Sequence, residues 1–208
     1  MSEEFCNVLP KYSREEQYKL DKEEFYKLWN SIERKNKDKL LDVLENHSDY
    51  FTAPASTQYH SSYKGGLLHH SINVYKKLKM LIENNKLWFI DKDSPIVIAL
   101  LHDLCKINCY KVEYRNTKDE NGKWVQKPYY KFEDGCGLGV HGDRSVMLAQ
   151  MFGFPLRDEE IACIRFHMGA YESREVIPSL GVAKRKYDNV IWVCLADELA
   201  TLQEERGF

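Results

Sequence analysis

Residues 96–107 read Ile-Val-Ile-Ala-Leu-Leu-His-Asp-Leu-Cys-Lys-Ile. An imidazole, a carboxylate and an amine (His102, Asp103 and Lys106) thus stand in a run that is otherwise almost wholly apolar. A stretch apolar on all sides reads as a buried helix, and a buried carboxylate costs several kcal/mol unless it is paired or coordinated. Two arrangements relieve that cost: a hydrogen bond between His102 and Asp103, or a divalent cation held by both. Lys106, four residues after His102 and three after Asp103, falls on their helical face. It suits either a substrate phosphate or a salt bridge to a nearby acid.

Further groups of the same chemical kind recur along the chain. His69 and His70 open an apolar helix, His141 precedes another, His167 sits near the end of a third, and Asp197 lies mid-way along the last. Each histidine has an ordinary reading as well. His69 or His70 can be a surface residue at a helix start, and His167 is favoured near a helix C-terminus by the backbone dipole alone. His47 and His60 read as loop residues. As a set, two carboxylates in apolar helices and several imidazoles on separate helices suit a divalent cation with nitrogen and oxygen ligands.

The elements that must position these groups are mainly helical. Residues 1–12 read as an irregular arm. Ser13-Arg14-Glu15-Glu16 has capping-box spacing and starts a charged helix to about residue 36. A short helix over about 38–45 follows. Gly65-Gly66 then introduces a helix to about residue 83, ended at Asn84-Asn85. Ser94, as a capping hydroxyl, and Pro95 start the central helix, expected to run to about residue 107. Residues 108–133 change to strand formers around Asn121-Gly122, which predicts a β-hairpin inserted in a helical domain. The glycines at 135–139 lack a βαβ context and do not form a dinucleotide fingerprint. Helices are expected over about 142–152, 159–168 and 184–204.

With 208 residues and no repeats, the chain reads as one domain with a sizeable core. Its parts are an N-terminal helical extension over 1–49, a core over 50–204 and the inserted hairpin. Charged residues make up 30% of the chain and the net charge is −2, which gives neither a nucleic-acid footprint nor a polybasic membrane patch. No apolar run reaches spanning length and no signal peptide is apparent. The six cysteines are scattered, without a CxxC pair. They are expected to be reduced core thiols in a cytoplasmic protein, although Cys105 and Cys109, four apart, would share a helix face.

Three segments in order, Gly65-Gly66-Leu67-Leu68-His69-His70-Ser71, then His102-Asp103-Leu104-Cys105-Lys106, then Asp197, resemble the HD-domain superfamily of metal-dependent phosphohydrolases. The resemblance covers roughly residues 50–204. It implies a helical HD bundle with a metal held by His70, His102, Asp103 and Asp197. His70 takes the ligand position because the residue before it varies in the family. His141 and His167 resemble the two extra histidines of a subset that binds a second metal, with Asp103 bridging. That subset is similar to cyclic-nucleotide phosphodiesterases and to the HD domain of bacterial 3′–5′ exoribonucleases. Pro54-Ala55-Ser56 and His60 match the exoribonuclease type too. The chain lacks an obvious OB-type RNA-binding domain and the Gly-Tyr-Pro signature of cyclic di-GMP enzymes.

The expected activity is hydrolysis of a nucleotide or another small phosphate ester by a metal-activated water, with Asp103 and Lys106 at the reaction. One or two divalent ions are expected, without a choice among Mn, Fe, Mg, Ni, Co and Zn. Lys106, Arg115, Lys123 and Arg144 are candidate phosphate-binding cations, with Arg165 a weaker one. The hairpin interleaves lysines with Tyr110, Tyr114, Trp124 and Tyr130, which suits stacked bases or simply a solvated ribbon with its aromatics on the core. A small nucleotide is preferred as partner, with a short nucleic-acid end as an alternative and no membrane. The rivals are a 3′–5′ exonuclease or cyclic-nucleotide phosphodiesterase, and a non-catalytic nucleotide-binding regulator.

Overall fold

The computed structural model describes residues 12–133 and 141–206. The expected arm (Tyr12 apart) and the glycine loop at 135–139 lie outside the described residues. Those described form eight α-helices and one two-stranded antiparallel hairpin, inserted between the fourth and fifth helices.

Helix α1 (Arg14–Asn30) begins with the capping box read from the sequence: Ser13 Oγ accepts from Glu16 N, and Glu16 accepts from Ser13 N at 2.8 Å. It ends about six residues before the expected place. Leaving the helix at Ser31 drops Ile32 into the core and turns Arg34 inward to Asp91, Asp93 and Glu160. Helix α2 (Lys37–Asn46) follows, then an irregular stretch to residue 65.

Helix α3 (Gly66–Asn85) starts under that stretch. Gly65 has φ of 84°, and a Cβ on Gly66 would lie 1.8 Å from the Ser61 carbonyl oxygen. The double glycine is therefore needed for the loop to press on the helix start, beside His69 and His70.

Helix α4 (Ser94–Leu101) is the centre of the core, with Val97 through Leu101 wholly buried. Pro95 stands in its first turn as expected, but Ser94 does not cap. Its hydroxyl donates to Glu160 at 2.6 Å. The helix also stops short of residue 107. His102 caps its C-terminus with backbone angles still in the right-handed helical region, Asp103 leaves that conformation, and Leu104–Lys106 form a 3₁₀ turn. The cause is a competing acceptor: Ser145 Oγ takes the Cys105 N–H at 3.0 Å.

Strands β1 (Tyr110–Lys118) and β2 (Trp124–Phe132) pair over nine positions, from Tyr110 with Phe132 to Lys118 with Trp124. Asn121-Gly122 lies in a five-residue loop whose Asp119 carboxylate accepts from Asn121 N and Lys123 N. The ribbon reaches away from the core. Tyr114 and Trp124 share one face and are 65% and 66% exposed, so these aromatics do not pack inward.

Helices α5 (His141–Met151) and α6 (Asp158–Arg165) meet at Gly142, where a Cβ would lie 2.1 Å from the Arg165 carbonyl. That contact sets the start of α5 against the end of α6. The expected last helix starts about five residues later, as α8 (Asn189–Glu205), and a helix the sequence reading did not foresee, α7 (Ile177–Lys186), stands ahead of it. They part at Tyr187, and Asn189 holds the break by donating to Trp88 O and to Glu159. Cys105, Cys109, Cys163 and Cys194 are buried and outside any disulfide. Cys109 Sγ donates to the Cys105 carbonyl at 3.3 Å and to the Ile107 carbonyl at 3.2 Å.

Among the described residues no helix is long and apolar enough to cross a membrane.

Candidate metal centre

Five segments bring their polar groups to one point beside α4. His70 comes from the first turns of α3, His102 and Asp103 from the end of α4, and His141 from the first residue of α5. His167 follows α6, and Asp197 comes from the middle of α8. His70, His102, Asp103 and His167 are almost wholly buried.

The ring orientations follow from what each Nδ1 meets. His102 Nδ1 donates to the Ala99 carbonyl at 2.9 Å, and His167 Nδ1 donates to the Ile164 carbonyl at 2.7 Å. His70 Nδ1 faces Glu204 at 3.2 Å. With a cation bound, each ring would be neutral, its proton on Nδ1 and its lone pair on Nε2. All three Nε2 atoms face the carboxylates. His70 Nε2 is 3.0 Å from Asp197 and 3.7 Å from Asp103. His102 Nε2 is 3.4 Å from Asp103 and 3.9 Å from Asp197. His167 Nε2 is 3.6 Å from Asp103. His102 Nε2 is buried and has no hydrogen-bond partner.

These spacings suit a common cation. Two ligand atoms about 2.1 Å from one ion stand roughly 3.0–3.4 Å apart, in octahedral or tetrahedral arrangement; His70–Asp197 and His102–Asp103 lie in that range, and the other three spacings are longer, at 3.6, 3.7 and 3.9 Å. An unpartnered buried imidazole nitrogen among carboxylates is an atom that a cation would satisfy. The residues present fit a divalent ion with nitrogen and oxygen ligands.

Asp103 divides the set. Its Oδ2 faces His70, His102 and, at 2.7 Å, the Lys106 amine. Its Oδ1 faces His167 and, at 2.7 Å, His141 Nε2. His141 is the most exposed of the four histidines around Asp103 and also lies 3.3 Å from the Cys105 sulfur. Burial opposes ionisation of Asp103, but Lys106 and His102 outweigh it and hold the carboxyl well below the usual carboxylate range. Burial likewise opposes a charge on Lys106, which Asp103 more than restores. Asp197 is held low against its burial by His70.

Behind the candidate ligands is a layer that the sequence reading missed. Glu204 accepts from His70 Nδ1, from Asn73 at 2.9 Å and from Ser61 at 2.7 Å. Burial works against its charge, but His70 brings it down to about 2. Asn73 also donates to His69 Nε2 at 2.9 Å, and His69 Nδ1 donates to Asp21 of α1 at 2.6 Å. His69 is thus turned inward rather than placed at the surface. Spacing held the signal: Glu204 is two helical turns beyond Asp197, and Asn73 one turn beyond His70.

A cavity of about 670 Å³ opens over the cluster, with His70, Asp103, Lys106, His141, His167 and Asp197 in its lining. His60, read as a loop residue, lines it too. Its ring lies 4.7 Å from the His70 ring, tilted by 42°, its Nε2 is buried without a partner, and burial depresses its pKa to about 4. His47 stays an exposed loop residue near Asp42. Lys106 pairs with Asp103, as one of its readings has it, and also lines the cavity. Arg144 is buried in α5, and neither it nor Arg115 nor Lys123 is part of the lining. Arg115 lies on the ribbon over the Tyr129 ring, and Lys123 at the end of its loop. Arg165 pairs with Asp143.

Comparison of the chain with protein-family models, with curated proteins and with solved structures finds no match in any of the three.

Proposed function

We propose that the chain is a metal-dependent phosphohydrolase of the HD-domain type. Its substrate is a nucleotide or another small phosphate ester. The observation that carries this reading is the unpartnered, buried Nε2 of His102. It points at two carboxylates, Asp103 and Asp197, both of which His70 also faces and the first of which His167 faces. The order of the three motif segments along the chain supports the family.

His70, His102, Asp103 and Asp197 would hold the ion, and Ala99 O and Glu204 keep the first two rings aimed at it. A bound divalent cation supplies Lewis-acid chemistry, lowering the pKa of a coordinated water toward neutrality and drawing charge from a phosphoryl oxygen. Lys106 offers an ammonium at the cavity floor for a second phosphoryl oxygen, and Asp103 keeps it charged. In the reaction, water oxygen bonds to phosphorus and the ester P–O bond breaks. The leaving alkoxide takes up a proton that the water gives up. His141 and His167, on the other oxygen of Asp103, suit either a second ion or a substrate phosphate.

The test is phosphate release from a panel of nucleoside mono-, di- and triphosphates, cyclic nucleotides and short oligonucleotides. Each is assayed with Mn, Fe, Mg, Ni, Co and Zn. Release that needs a divalent ion and is lost in Asp103→Ala supports the reading. Metal binding without turnover on any member would favour the non-catalytic regulator.

A further inference from the structure

We propose that the outer half of the cavity is a nucleoside subsite. It holds one base and one sugar below a terminal phosphate and turns away a longer polyanion. For its chemistry this rests on the phosphohydrolase reading.

The lining changes character with depth. At the floor are the buried histidines, Asp103 and Lys106. At the mouth are two tyrosines from separate segments, Tyr59 ahead of α3 and Tyr171 in the 3₁₀ turn after His167, 70% and 78% exposed. Rings so exposed gain little from the core. They offer flat faces on which a base can stack. Tyr59 is held in place, since its N–H donates to Ser56 Oγ, which in turn donates to the His60 carbonyl.

One face of α8 makes the wall between floor and mouth. Glu198, Thr201, Leu202 and Glu205 follow at i, i+3, i+4 and i+7, one residue on from Asp197. The face alternates an apolar strip with two carboxylates that line the cavity in solvent-exposed positions. Carboxylates accept from sugar hydroxyls and from exocyclic amines. Next to a phosphate chain they repel. Lys106 is the one amine among the described lining residues, and it lies at the floor. One phosphate can therefore reach a cation, while a second, held further out, would meet Glu198 and Glu205. His60 Nε2, buried in the lining and unpartnered, is a further hydrogen-bonding atom for the sugar or the ester oxygen. The volume, about 670 Å³, is of the size of small-molecule sites, roughly 300–1,000 Å³.

The reaction assigned to this subsite is hydrolysis of a nucleoside monophosphate. Water adds its oxygen to phosphorus, the bond between phosphorus and the sugar oxygen breaks, and the products are the nucleoside and inorganic phosphate.

The experiment is titration calorimetry of the full chain, saturated with each divalent ion of the panel above, with adenosine 5′-monophosphate, ribose 5-phosphate, adenosine 5′-diphosphate and a trinucleotide. Phosphate release is followed on the same samples. The monophosphate should bind about tenfold more tightly than ribose 5-phosphate, the size of effect that one stacked base supplies, and more tightly than the diphosphate and the trinucleotide, which carry a base as well but bring further charge beside Glu198 and Glu205. Tyr171→Ala should remove its advantage over ribose 5-phosphate. Glu198→Gln with Glu205→Gln should remove its advantage over the diphosphate and the trinucleotide. All these residues are exposed, so unchanged melting curves will show that the variants fold. Equal binding of the four probes to the unaltered chain overturns the subsite, as does an advantage that survives the substitutions. Selective binding without phosphate release keeps the subsite and sinks the hydrolase. Release without selectivity does the reverse, and neither binding nor release overturns both.

Discussion

Glu204 receives the Nδ1 proton of His70 across 3.2 Å, from a position two turns beyond Asp197 on the same helix. One face of α8 thus supplies both a carboxylate for the candidate ion and the carboxylate that aims one of its imidazole ligands. Such outer partners fix the tautomer and raise the basicity of the ligand. Glu204→Gln should lower affinity for a divalent ion about 10- to 100-fold while Asp197 stays in place. A metal titration monitored by calorimetry checks this, and an unchanged Kd would reduce Glu204 to a packing role.

Removing the shared carboxylate should have a larger effect. Asp103→Ala takes away the group that five side chains face, Lys106 and four histidines. The purified variant should carry no stoichiometric metal and no phosphatase activity. Elemental analysis decides, and full metal content in the variant would refute the assignment.

The two oxygens of Asp103 make a separate claim. His141 and His167 face Oδ1, whereas His70 and His102 face Oδ2. A metal-saturated sample should hold two ions per chain, falling to one in a His141→Ala, His167→Ala double variant. One ion per chain in both proteins would leave His141 and His167 as phosphate-binding groups of a mononuclear site.

For the ribbon, the sequence suggests substrate contact through Arg115 and Lys123, and neither lines the cavity. Alanine at both positions should therefore change KM for a mononucleotide by less than about twofold, with metal content and Tm unaltered. A KM rise at constant kcat would mean lost binding and would bring the ribbon back to the substrate.

Stability away from the site should hinge on Arg34. Its guanidinium is 4% exposed and meets Asp93 at 2.7 Å and Glu160 at 2.6 Å, with Asp91 at 3.3 Å. Arg34→Met leaves buried carboxylates without their counter-charge, at a cost of about 3–5 kcal/mol. For a chain of this size that is a fall in Tm of about 10 °C. Thermal denaturation measures it, and metal content should not change.

Much of the local architecture was legible because it depends on neighbours in sequence. The capping box at Ser13, the double glycine before α3 and the strand formers on either side of Asn121-Gly122 each determine their own segment. The six candidate ligands were legible for a related reason, since polar side chains in apolar helices must find one another. What escaped depended on distant partners. The stop of α4 at His102 rests on a hydroxyl from Ser145, and the break before α8 on an asparagine that reaches Trp88 and Glu159. Glu204 looked like one more acid in a charged helix end, and His60 like a loop residue. No local pattern tells that the chain ahead of α3 folds His60 down onto His70. The reach of the ribbon was also invisible, because strand propensity says nothing of where a hairpin points.

The bonds from Asp21 through His69 and Asn73 to Glu204 cross the line, near residue 50, that the sequence suggests between an extension and a core. Asp21 is buried there as a member of the same relay that ends on His70. Heredity must then treat the two parts as a single unit. Recombination that exchanged the first fifty residues for those of a relative would have to bring an acid to the Asp21 position, or leave His69 facing a foreign helix. The leading helix is in this sense a component of the centre, although it contributes no atom to it.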